Sequence, residues 1–279
     1  MSVARSKYKV TKSLLLIGIL VTGLLSAFIG LVAYFGQYMG TFVISLDDTA
    51  LALGIALSEN EDFTSSNSRL LVNPVNSANP TTFTDIDFGK AVSVDGDMDK
   101  SNGNNYIAYT FYIRNEGNIS VDVELNLDTV TVTNNVDKAL RIAIIEGGYV
   151  EGGYVEDEEV SHDRVKFTKG TIFLKDDGHG DQSIVKQIGK IFRDDENGER
   201  VYYEKVLYDS FTKEYLTSDD NFGNYVIEDF VPQEIRKFTI IFWLEGWDAD
   251  CNDQIKYGQL KMKLVFSIRK TNEDEELYG

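Results

Sequence analysis

Twenty-two consecutive residues without a charge, Leu14 to Phe35 (LLLIGILVTGLLSAFIGLVAYF), constrain this chain more than any other feature. About 20 apolar residues at ~1.5 Å rise match the ~30 Å hydrocarbon core of a bilayer, and a water-soluble core has little use for so long an unpatterned run. Arg5, Lys7, Lys9 and Lys12 precede it, and the first acid is Asp47. That asymmetry holds the head inside the cell and sends the chain after residue 36 across. The expected order is a cytoplasmic basic head (1–12), a transmembrane anchor or signal segment (13–35), an extracellular domain (36–269) and an acidic tail (270–279). A secretory signal has a shorter apolar centre, of roughly 7 to 15 residues, and a small-x-small cleavage site. Length therefore favours an anchor, and the best cut lies after Leu31-Val32-Ala33. The membrane is the expected partner of residues 14–35 unless they are removed, and the cell surface or the extracellular space is the expected location.

Four of the 27 basic residues sit in the head, so the remaining 23 face all 45 acids. So acidic an exterior disfavours nucleic acid and anionic lipid as partners and favours solubility and cations. Cys251 is the only cysteine, which excludes an intrachain disulfide.

Strand patterns dominate the exterior. Phe42, Ile44 and Leu46 alternate on one face immediately after the apolar segment, so this strand can pair within its own chain or with a neighbour. Residues 58–80 hold two of the three prolines among Ser, Asn and acids and read as a surface loop, with Leu70-Leu71-Val72 a short apolar insert outside the core. Asp85–Gly89 and Ala91–Val94 read as short strands. Ile107, Tyr109, Phe111 and Ile113 alternate, Asn115-Glu116-Gly117-Asn118 turns, and Ile119 to Leu127 alternate again, the pattern of a hairpin. Further strands are expected at 129–133 and 140–145.

A β-rich insertion is expected at about 146–230. It contains the immediate repeat EGGYVEGGYV and a weak helical turn at Thr212–Leu216. Arg236–Leu244 is apolar on both faces, as a strand covered on both sides must be, and Gly258–Arg269 alternates with one wet face. The fold class this predicts is all-β, an antiparallel sandwich preceded by one N-terminal membrane-spanning or signal helix.

Catalytic patterns are absent from the sequence. His162 and His179 stand in acidic stretches without H-E-x-x-H spacing, and no G-x-S-x-G, phosphate loop or dinucleotide glycine pattern occurs. No cofactor is implied with certainty. Calcium is the one inorganic ligand the pattern admits, because alternate carboxylates can converge on a hard cation. Asp95, Asp97 and Asp99 form one candidate set, although the loop glycine and bidentate Glu of a helical calcium loop are missing. Asp248, Asp250 and Asp253 form the other. Trp243 and Trp247 are a sugar-stacking pair or, on a two-faced strand, part of the core.

Trp243-Leu-Glu245-Gly-Trp247-Asp248-Ala-Asp250-Cys251 followed by an alternating last strand resembles the C-terminal strand pair of the TasA/camelysin group of Gram-positive surface and biofilm-fibre proteins. Ala33-Tyr34-Phe35 resembles the cleavage region of that group, and Tyr112-Ile-Arg-Asn115-Glu-Gly117-Asn118 its strand-end turn. These stretches cover about a fifth of the chain. The resemblance implies a jelly-roll-like β-sandwich exported to the surface. In some members the N-terminal strand of one subunit completes the sheet of the next, a role that falls here on Phe42, Ile44 and Leu46. The function expected is a non-enzymatic cell-surface or matrix structural protein capable of self-assembly. The alternative is a membrane-anchored module that binds a glycan or protein ligand through the 146–230 region.

Overall fold

A computed structural model describes residues 21–23, 26, 42–73, 78–98, 105–150, 165–175, 190–194, 200–204, 211–216 and 221–269. The chain divides into two compact units, Met1–Gly40 and Thr41–Gly279. In the first, Val21, Thr22, Gly23 and Ser26 are helical, and the rest of the apolar run lies outside the described residues. No helix among the described residues is long and apolar enough to cross a membrane.

The second unit is built from strands β1 (Phe42–Leu46), β2 (Ile55–Ser58), β3 (Arg69–Val72), β4 (Gly96–Asp97), β5 (Tyr106–Asn115), β6 (Val121–Val132), β7 (Leu140–Glu146), β8 (Tyr149–Val150), β9 (Val165–Lys166), β10 (Lys169–Lys175), β11 (Lys190–Asp194), β12 (Arg200–Glu204), β13 (Phe211–Leu216), β14 (Asn221–Phe230), β15 (Ile235–Leu244) and β16 (Leu260–Ile268). Two short helices, α1 (Asp48–Ala52) and α2 (Phe88–Ser93), follow β1 and precede β4. A five-stranded sheet runs β14-β6-β16-β1-β3, and a seven-stranded sheet runs β13-β10-β7-β15-β5-β2 with β4 also paired to β5. They pack as a sandwich. The sheets are mixed, not purely antiparallel as expected, because β1 runs parallel to β16 and β10 parallel to β13. Within the 146–230 region expected as an insertion, β10 and β13 lie in the larger sheet and β14 forms an edge of the smaller.

Phe111 and Phe238 of the larger sheet meet Phe266 of the smaller, with ring centroids 5.8 to 6.3 Å apart. Around them Ile44, Leu70, Val72, Val123, Leu125, Ile142, Ile240 and Leu264 are buried. A second core covers the outer face of the larger sheet, where Phe88, Ala91 and Val92 of α2 join Phe83, Phe211, Ile241 and Trp243. This double cover is what the two-faced apolar pattern of β15 requires. Phe238, Ile240 and Phe242 face one core, and Ile241 and Trp243 the other.

Four further expectations are corrected. The pattern at 105–127 is not a hairpin: β5 pairs with β15 and β2, whereas β6 pairs with β16 and β14, so the connection crosses from one sheet to the other. Alternation reports which face of a strand is apolar and not which strand lies beside it. The strands expected at 85–94 are a 3-10 turn at Phe83–Asp85 and helix α2. There Phe88, Ala91 and Val92 recur at helical spacing and the Asp87 side chain accepts from Lys90 N at 2.9 Å. Leu70 and Val72 belong to the core, on a strand only four residues long, and burying each stabilises the fold by roughly 2 kcal/mol. The helical turn expected at 212–216 is strand β13, held parallel to β10.

The crossover is held by Asn115, which is fully buried. Its Nδ2 donates to Ile119 O at 2.9 Å and to Phe230 O at 2.7 Å, and its Oδ1 accepts from Gly117 N at 2.9 Å. Its backbone exchanges bonds with Glu234 O at 3.2 Å and Gln233 N at 2.7 Å. Replacing Asn115 by Ala strips two carbonyls and one N–H of a buried partner. Such losses run to roughly 1–3 kcal/mol per group, so Asn115→Ala is expected to lower unfolding free energy by about 3 kcal/mol or more. A urea denaturation series reads this as a drop in midpoint at unchanged slope, and an unchanged midpoint would refute the assignment.

Candidate functional site

Trp243 to Cys251, the longest stretch that carries the resemblance, lies at the end of the sandwich where β1 begins and β15 stops, whereas Tyr112 to Asn118 lies at the other end beside the start of β15, and Ala33 to Phe35 fall outside the described residues. The Phe42 ring lies 4.7 Å from that of Phe242, centroid to centroid. Glu245 is buried directly after β15. It accepts from Trp243 Nε1 at 2.9 Å, Phe83 N at 3.3 Å and Trp247 N at 3.4 Å. Its backbone N donates to Ala139 O at 2.8 Å, and Thr81 is stitched alongside through Thr81 N to Leu244 O at 2.9 Å and Gly246 N to Thr81 O at 2.7 Å. Burial pushes the Glu245 carboxyl above the usual range, against the pull of the Trp243 hydrogen bond, the two backbone donors and the Arg141 charge.

Asp248 turns inward and pairs with Arg141, both side chains almost wholly buried. Arg141 Nη1 also donates to Lys138 O at 3.3 Å and Leu140 O at 3.1 Å. A second ion pair, Lys175 with Asp137, is buried beside it. Asp248 Oδ1 accepts from Asp250 N at 2.8 Å, Asp250 is half-buried, and Asp253 is exposed and pairs with Lys256 at 2.9 Å. The structure therefore does not gather Asp248, Asp250 and Asp253 as a ligand set. Cys251 is a half-buried free thiol whose pKa is raised by burial and by the neighbouring Asp248 and Glu245.

The other acidic set is divided in the same way. Asp95 accepts from the Tyr112 hydroxyl at 2.7 Å, and Asp97 from the backbone and side chain of Asn73. Asp99 lies outside the described residues, as do His162 and His179. Burial and then the hydrogen bond to Asp95 push the Tyr112 hydroxyl up, and Tyr109, bonded to Glu59, is raised for the same reasons. No three His, Cys, Asp or Glu side chains among the described residues converge on a metal position.

Trp243 and Trp247 do not form a pair. Trp243 is in the core, whereas Trp247 is 62 % exposed. The strand-donor candidates Phe42, Ile44 and Leu46 sit in β1, inside their own chain's sheet, with Ile44 and Leu46 in the core. Sequence reasoning missed the buried charges Arg141, Asp137 and Lys175. The available signal was an arginine inside the otherwise apolar run Leu140-Arg-Ile-Ala-Ile-Ile145.

No family model, no curated protein and no solved structure matches the chain. What the fold defines is a β-rich protein of two packed mixed sheets, closed at one end by buried ion pairs.

Two outcomes follow from these charges. Asp248→Ala leaves Arg141 buried without its carboxylate and is expected to cost roughly 3–5 kcal/mol, while Arg141→Met combined with Asp248→Leu costs far less. Chemical denaturation of both variants checks this, and equal losses would refute it. Because the folded Glu245 binds its proton more tightly than the unfolded chain does, its contribution is full below the ordinary value of 4.5 and is lost as pH rises through the raised folded value. The stability difference between wild type and Glu245→Gln should therefore move in favour of wild type as pH falls across that window. A pH-independent difference would show that Glu245 is not raised.

Proposed function

We propose that this chain is a non-enzymatic structural protein of the cell surface or extracellular matrix, a jelly-roll-like sandwich that self-assembles by strand addition through β1. The observation that carries the reading is the position of β1. The first strand after the apolar segment is not an appendage: it lies between β16 and β3, with Val43 opposite Lys263 and Leu46 opposite Phe266 on one side and Phe42 opposite Val72 on the other. A second copy of the same strand finds the same ladder and the same pockets for Ile44 and Leu46 in a neighbour. Exchange changes connectivity and leaves the contacts as they are. The α1 segment between β1 and β2 is the hinge, and it is tied down at Asp47, whose carboxylate accepts from Ala50 N at 2.8 Å.

The acidic exterior supports the same reading, since a high like charge keeps subunits apart until a specific strand joins them. The chain without residues 1–33 should form concentration-dependent assemblies visible by light scattering and electron microscopy. In a Cys251→Ser background, Ser45→Cys with Val265→Cys places two thiols on paired positions of β1 and β16. Oxidation would pin β1 at home and should abolish assembly, and reduction should restore it. Equal assembly with the lock closed, or a monomer at every concentration, would remove strand exchange from the account.

A further inference from the structure

The smaller sheet keeps its two signs of charge on separate strands. From residue 115 to 137 the chain carries the acids Glu116, Asp122, Glu124, Asp128 and Asp137 and no base. From 254 to 272 it carries the bases Lys256, Lys261, Lys263, Arg269 and Lys270 and no acid. Strand β6 lies in the first stretch and β16 in the second, and the two are neighbours in the middle of the sheet. Alternation turns both signs outward. Val123, Leu125 and Leu127 of β6 and Met262, Leu264 and Phe266 of β16 are buried in the core between the sheets. Asp122, Glu124 and Asp128 therefore share the opposite face with Lys261 and Lys263, and Arg269, exposed just beyond β16, continues the basic line.

The flanking strands extend the division. Glu228 is exposed on β14, beside β6, and Arg69 is exposed on β3, beyond β1. These charges answer one another only in part. Among the described residues, one ion pair joins β6 to β16, Lys263 with Asp128 at 3.3 Å, whereas Lys261, Arg269 and Arg69 form none.

A partner for this face has to match its order. A uniformly acidic surface would be repelled by β6, and a uniformly basic one by β16. What fits is a base strand over β6 with an acid strand over β16. A second copy supplies this by symmetry. A two-fold axis along the strands, between β6 and β16, lays β6 of each copy over β16 of the other, whereas an axis across the strands would lay acid on acid. Elsewhere the net charge of −18 opposes the approach of two copies, so attraction needs a surface where bases are gathered.

We infer that the outer face of the smaller sheet is a self-recognition surface, on which two copies stack back to back with the acid strand of each over the base strand of the other. Five strands about 4.8 Å apart and roughly 20 Å long give a face of about 500 Å² per copy. That is the size of weak, transient interfaces, in which charge sets specificity and encounter rate. Val265 and Val43, half-buried on β16 and the adjoining β1, add apolar contact near its middle. The inference does not rest on strand exchange. A two-fold pair closes at two copies and leaves β1 in place between β16 and β3, so growth into longer assemblies remains with β1.

Sedimentation equilibrium of the full chain in density-matched detergent tests this. Wild type should form a dimer whose dissociation constant rises roughly tenfold as NaCl goes from ~0.1 to ~1 M, which shortens the screening length from ~10 to ~3 Å. Lys261→Glu with Lys263→Glu and Arg269→Glu makes the face all acidic, and Glu124→Lys with Asp128→Lys and Glu228→Lys makes it all basic. Each variant alone should be monomeric, and an equimolar mixture should pair about as well as wild type. Circular dichroism checks that both are folded, and if either is not, the salt dependence of wild type decides alone. A wild type that stays monomeric, or a mixture of folded variants that does not pair, overturns the inference. A dimer indifferent to salt and to both reversals also overturns it, and by assigning the association to β1 or the apolar segment it leaves strand exchange standing.

Discussion

The sandwich depends on one buried amide. Two sheets can face each other only if the chain leaves one and enters the other at a fixed point, and the Asn115 side chain fixes that point by holding Ile119 O, Phe230 O and Gly117 N at once. Because Phe230 ends β14 and Ile119 leads into β6, one side chain joins the crossover to the edge of the smaller sheet. Its backbone meanwhile bonds Gln233 and Glu234 in the β14–β15 turn. No apolar residue could do this, since every group involved would otherwise be a buried polar atom without a partner. The glycine two places on follows from the same closeness, as a Cβ at 117 would meet Leu53 O at 2.2 Å.

The same end of the sandwich carries a second polar bridge between the sheets. The Tyr225 hydroxyl of β14 donates to Glu146 of β7, Arg236 Nη1 of β15 donates to the same carboxylate at 3.1 Å, and Lys169 Nζ stands 4.0 Å from the Tyr225 ring centroid. Burial and then the bond to Glu146 raise the tyrosine's pKa, so it stays a donor throughout the ordinary pH range. At the opposite end Arg141–Asp248 and Glu245 do comparable work within the larger sheet and its adjoining loops. The apolar layer between the ends sets the gross stability. The polar groups at the ends determine which strands meet, because a slipped register would leave a charge buried and alone.

How much of this was legible follows from what a local pattern can carry. Faces were legible: the alternation through β5, β6 and β16 and the double apolar pattern of β15 agree with the two cores. Partners were not. β5 and β6 read as a hairpin because adjacent alternating segments with a turn between them look identical whether they lie side by side or face to face. β3 was invisible because four residues, Arg69 to Val72, are too few to show a period, and α2 because six residues barely complete one helical face. At the candidate site, the acids were legible as acids, and their destinations were set by Arg141, 107 residues from Asp248 along the chain. A D-x-D spacing states what could converge, and only the fold decides whether an arginine reaches a carboxylate before a cation does.

The buried charges also explain why one residue of the 245–248 turn faces outward. Glu245 is drawn in by Trp243 and Phe83, Gly246 is bonded to Thr81, and Asp248 is drawn in by Arg141. A chain pinned inward at both ends of so short a turn must project a side chain between them, and the residue at that place is Trp247. Its exposure is thus a consequence of internal electrostatics and not of a loose loop. The backbone that carries Trp247 is fixed on folding, so its ordering adds nothing to the entropy cost of any contact made at this end of the sandwich. The parallel placement of β1 beside β16 puts the entry of the chain at that same end. The buried arginine pair, the outward tryptophan and the first strand are therefore parts of one arrangement.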